Sequence, residues 1–112
     1  MMTKAQTYNK ISDLIEKYDR VIILPHIEAD GDALGSSIAL GLALSSTGKS
    51  VKIILEEDMV SSYLFLTGRM AVSKYEGVVE KTQLAIALDT GDTMRLGERL
   101  AIFENAEATI NI

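Results

Sequence analysis

The chain has 112 residues, no cysteine and a net charge of −5. These numbers exclude disulfides and cysteine-ligated zinc, agree with a reducing cytoplasm, and argue against a broad basic surface for nucleic acid. A hydrophobic fraction of 47% supports one soluble core, and the start, Met1 to Gln6, lacks the apolar stretch of a signal peptide. No run approaches the roughly 20 apolar residues that span a bilayer, so no membrane partner is expected.

Ile11, Leu14, Ile15 and Tyr18 follow helical spacing and predict an amphipathic helix over 5–18. Asp19-Arg20 leads into a strand, Val21–Pro25. A loop with Asp30, Gly31 and Asp32 follows, then a helix over 33–47 that Gly48 stops. Leu34, Ile38 and Leu42 would form its main apolar stripe, and Leu40 and Leu44 cover more of it, so this helix should press into the domain. Val51–Leu55 is a second strand, and Glu56-Glu57-Asp58 reads as a charged, solvated turn, as do Lys49 and Lys52. A short helix is expected over Ser61–Leu66 and a short strand near Ala71–Ser73. Leu84–Leu88 is a buried strand, followed by Asp89-Thr90-Gly91-Asp92, a helix over 97–105 and a last strand, Ala108–Ile112. Strands alternating with helices predict an α/β fold: a parallel sheet with helices on both faces.

The chemistry concentrates at two strand ends. His26, Asp30 and Asp32 lie within seven residues after the first strand, a spacing that lets all three face one crevice. An imidazole with carboxylates suits manganese, magnesium or zinc, and the oxygen-rich set favours the first two. The competing reading is a helix cap by Asp30 or Asp32 beside a loop histidine. Asp89 follows another apolar strand. If the two strands are neighbours, it meets His26 and Asp30 and could bridge two cations about 3.5–4 Å apart. Otherwise it is a turn aspartate, as Asp92 is expected to be. Gly35-Ser36-Ser37 would sit at the helix start, where free N–H groups could hold a phosphate, or would merely allow close packing. Arg95 could reach a phosphate with its planar fork or form a surface ion pair.

The stretch His26-Ile-Glu-Ala-Asp30-Gly-Asp32-Ala-Leu-Gly35-Ser36 resembles the first motif of the DHH phosphoesterase superfamily. Asp89-Thr-Gly-Asp-Thr-Met-Arg95-Leu-Gly97 resembles its second. The likeness points to the branch of oligoribonucleases and 3′-phosphoadenosine 5′-phosphate phosphatases (nanoRNases), also labelled exopolyphosphatase-related. It implies a truncated, Rossmann-like amino-terminal domain of a two-manganese hydrolase. His26, Asp30 and Asp89 would hold one metal, and Asp32 and Asp89 would begin the other site. The catalytic carboxylates would be Asp32 and Asp89. Water would attack phosphorus on a short RNA or a phosphorylated nucleotide.

Ala29 departs from the proline common in that family. The Asp-His-His motif, a later metal-binding aspartate and the carboxy-terminal substrate-binding subdomain are absent from residues 1–112. The resemblance thus implies a partial catalytic domain with little metal affinity or turnover of its own, and leaves a homodimer open. Two alternatives from other classes are a receiver-like, magnesium-binding signalling domain and a non-catalytic assembly module.

Overall fold

The computed structural model describes residues 3–26, 31–57, 70–88 and 93–112, with the backbone alone at 31, 32 and 93–95. Its centre is β1 (Arg20–Pro25), in which every residue after Arg20 is buried. Such a continuous apolar run suits a strand covered on both faces, since alternate side chains must enter two different cores. Val21 and Ile23 enter one core, and Ile22 and Leu24 the other.

Four further strands join it: β2 (Ser50–Leu55), β3 (Val72–Lys74), β4 (Leu84–Leu88) and β5 (Ala108–Asn111). The order across the sheet is β3-β2-β1-β4-β5, and every pairing is parallel. The α/β class read from the sequence is therefore the observed one. The receiver-like alternative is not supported, because flavodoxin-like and receiver sheets run 2-1-3-4-5 whereas this one runs 3-2-1-4-5.

Helix α1 (Lys4–Lys17) opens with a capping box. Gln6 N–H donates to Thr3 Oγ1 at 3.1 Å, and Thr3 N–H donates to Gln6 Oε1 at 2.9 Å. These bonds satisfy two N–H groups that the first turn leaves without helical partners. Its Ile11, Leu14 and Ile15 pack on the first core beside α2 (Gly31–Ser45).

Helix α2 begins two residues earlier than the spacing predicts. It buries Leu34, Ser37, Ile38 and Leu44 but leaves Leu42 37% exposed. At about 100° per residue the buried face centres between Leu34 and Ser37 and passes through Gly41, so Leu42 falls on its far flank. Gly41 is where the thioether of Met70 reaches the helix; a Cβ there would lie 2.6 Å from its sulfur.

The second face is covered by a 3₁₀ segment, Thr93–Arg99, and by α3 (Leu100–Asn105). Leu96 and Ile102 seal it over Ile22, Leu24, Ala85 and Ala87. The expected single helix over 97–105 is broken at its start. Gly97 takes φ 61° and ψ −138°, outside helical space, so the α-helix starts only at Leu100. The strand expected at 71–73 lies one residue later, and the helix expected at 61–66 falls outside the described residues.

Candidate metal centre at the sheet edge

Strands β1 and β4 are neighbours, and their register ends on the pair Pro25↔Leu88. His26 follows the first of these residues and Asp89 the second, so the two motifs leave the same carboxyl edge of the sheet. This is also where the topology reverses: the chain goes from β1 to β2 on one side, then returns from β3 to β4 on the other. In open parallel sheets the crevice at such a point is where ligands bind.

The strands that hold this edge are buried. Every residue of β4 is buried, and Ile23 and Leu24 of β1 are fully buried. His26 is half-buried. Asp30, Asp89 and Asp92 lie outside the described residues. Asp32 is the second residue of α2, in its first turn. Arg95 lies in the 3₁₀ segment. Among the described residues, no three His, Asp or Glu side chains gather closely enough to hold a metal ion.

Because α2 starts at Gly31, Ser36 stands in its second turn with an exposed side chain. The N–H groups free of helical partners are those of the first turn, ahead of Ser36. Ser37 is fully buried, and its hydroxyl donates to Ala33 O at 2.8 Å, a packing role rather than a ligand role.

A buried ion pair near this edge escaped the sequence reading. Glu56, placed there in a solvated turn, has a side chain only 18% exposed and meets Arg99, which is fully buried. Arg99 Nε donates to Glu56 Oε2 at 3.2 Å and to Leu96 O at 3.1 Å, and Nη1 donates to Ile54 O at 2.8 Å. The same carboxylate accepts the backbone N–H groups of Glu98 (3.0 Å) and Arg99 (3.3 Å). It thus holds the backbone just ahead of α3, whose N-cap residue Arg99 makes no side-chain cap.

Burial pushes the Arg99 pKa below its ordinary value, and the charge and hydrogen bond of Glu56 pull it back up. Nη2 is buried without a hydrogen-bond partner among the described residues. Lys49, also read as solvated, has a side chain only 9% exposed, and its Nζ donates to Tyr18 O at 2.9 Å. No local signal marks either contact, since the partners lie 43 and 31 residues away.

The chain matches no protein-family model, and no curated protein is significantly similar to it. Among solved structures it is similar to an exopolyphosphatase-related protein from Bacteroides fragilis, with a TM-score of 0.79 and 22% sequence identity. The match covers 98% of this chain and 40% of that one, so the chain spans well under half of its structural neighbour. At this identity the likeness establishes a shared fold.

Proposed function

We propose that this segment is the amino-terminal part of a divalent-metal phosphoesterase. The observation that carries the reading is the β1–β4 adjacency, which brings the two carboxylate-bearing motifs to one edge of the sheet at its switch point. The structural neighbour is named exopolyphosphatase-related, which agrees with phosphorus chemistry.

The donor set, one imidazole and three carboxylates, fits hard, oxygen-preferring cations. His26, Asp30, Asp32 and Asp89 would hold two ions, Mn²⁺ in this reading and Mg²⁺ as the alternative. Bound there, the ions would supply Lewis-acid stabilisation of charge developing at phosphorus. The chain's own residues do the rest. Asp89 would contribute to both sites. Asp32 would serve its site from the first turn of α2. Arg95, and more weakly Ser36, would orient a substrate phosphate.

Within this class, the motif likeness favours short oligoribonucleotides and 3′-phosphoadenosine 5′-phosphate as substrates. Residues 1–112 by themselves would turn over little of either, in a cytoplasmic protein whose further segments grip the substrate. The test is hydrolysis of a diribonucleotide and of 3′-phosphoadenosine 5′-phosphate by the complete protein carrying this segment, with Mn²⁺. Asp89→Asn should lower the rate by more than about 100-fold, beyond the loss typical of changing a residue that only supports a metal ligand. Near-normal turnover by that variant would sink the assignment.

A further inference from the structure

At the opposite, amino-terminal edge of the sheet, a hollow of about 310 Å³ opens over the start of β1 and β2. Arg20, Ser50, Lys52, Glu80, Lys81 and Thr82 line its polar part. Its size is at the lower end of the roughly 300–1,000 Å³ usual for small-molecule clefts. Six residues of β1 separate the two edges, about 16 Å at 3.3 Å per residue, so this hollow is distinct from the candidate metal centre.

Its charge runs against that of the chain. Three cations face one carboxylate, although the whole protein carries −5. The carboxylate is already engaged, since Glu80 Oε1 accepts from Lys52 Nζ at 2.8 Å. Arg20 and Lys81 are exposed, and neither side chain makes an ion pair or hydrogen bond among the described residues.

The backbone that carries Arg20 is held on both sides. Its N–H donates to Gln83 Oε1 at 3.0 Å, and its carbonyl accepts from the Thr82 hydroxyl at 3.0 Å. The hollow therefore has a fixed wall and two uncommitted cations beside a third, which lowers the ordering cost of receiving an anion. Arg20 offers a planar fork of donors and Lys81 a point charge, a combination suited to phosphate oxygens.

We propose that this hollow binds a diphosphate group, with Arg20 and Lys81 as the contacting cations and Lys52 as the third charge, without any metal ion. The group could belong to inorganic pyrophosphate or to a nucleotide. Either source presents the same oxygens.

The experiment is a titration of the chain with sodium pyrophosphate in low salt and excess chelator, followed by backbone amide shifts and by calorimetry. Saturable shifts are expected at Arg20, Ser50, Lys81 and Thr82. The double variant Arg20→Gln/Lys81→Gln should bind at least 10-fold more weakly, with the same thermal midpoint as the parent, because both side chains are exposed. Adenosine 5′-diphosphate in a parallel arm identifies the source: equal affinity means the phosphates alone are read, and tighter binding means a nucleotide. No saturable binding, unchanged affinity in the double variant, or shifts confined to residues 26–36 would each overturn the proposal. The chelator keeps this outcome independent of the proposed metal chemistry.

Discussion

Glu56 and Arg99, 43 residues apart in sequence, form a buried ion pair that fastens the end of β2 to the start of α3. The guanidinium also binds Ile54 O, and the carboxylate also caps two backbone N–H groups, so each partner is tied to backbone as well as to the other. Glu56→Ala should therefore cost about 3–5 kcal/mol, because it leaves a fully buried cation uncompensated. Adding Arg99→Met should recover part of that loss, with a coupling of about 0.5–3 kcal/mol. Urea denaturation of the four proteins of the cycle measures both values, and additive losses would contradict the coupling.

Two glycines of α2 should answer oppositely to alanine. A Cβ at Gly35 meets nothing within 4 Å, so Gly35→Ala should stabilise by about 0.5–1 kcal/mol through helix propensity. At Gly41 the same Cβ would press on the sulfur of Met70, which must move. Gly41→Ala should therefore gain nothing or destabilise, and Gly41→Ala/Met70→Ala should remove the clash while losing the methionine's packing. Thermal melts of the three variants would test this.

Gln83 has one oxygen serving two donors. It accepts the N–H groups of Asp19 and Arg20, both at 3.0 Å, and so fixes the entry of the chain into β1 from the side of β4. Gln83→Ala should cost about 1–3 kcal/mol by unpairing two neighbouring N–H groups at net values near 0.5–1.5 each. Faster amide hydrogen exchange at Asp19 and Arg20, with the rest of β1 unchanged, would be the local signature.

Metal linkage offers a check on the proposed chemistry that does not depend on turnover. In the complete protein, Mn²⁺ at 100 times its dissociation constant should add about 2.7 kcal/mol to stability. His26→Ala should remove most of that gain, and a chelator should reverse it in the parent. A Mn²⁺ effect that survives His26→Ala would argue against the imidazole as a ligand.

What could be read from the sequence, and what could not, divides by the range of the interactions involved. β1 and β4 were legible because each carries a short, continuous apolar run suited to a strand covered on both sides, and β2 because Val51 and Ile53–Leu55 surround a single lysine. Helix α1 was legible from its spacing, with its boundary one residue off. The errors arose where a distant partner or an unusual backbone decides. Glu56 and Lys49 look solvated until Arg99 and the Tyr18 carbonyl are brought to them. The break at Gly97 depends on a positive φ that composition does not reveal.

The candidate site follows the same division. Its motifs are local, but whether they meet depends on β4 lying beside β1, a pairing across about 60 residues of sequence. That adjacency is observed. The carboxylates of Asp30 and Asp89 lie outside the described residues, so their approach to His26 rests on the proposal.

The central place of β1 has a consequence for how the molecule is made. It leaves the ribosome well before β4, which follows about 60 residues later, so one of its edges must wait. At the usual 5–20 residues per second this is about 3–12 s of synthesis. During that interval β2 can cover one edge, while the other displays Val21 to Pro25 as an unpaired apolar template. An all-parallel sheet has no hairpin to close such an edge locally. The nascent chain is thus most exposed to mispairing before residues 84–88 appear, and a holding chaperone would act in that window.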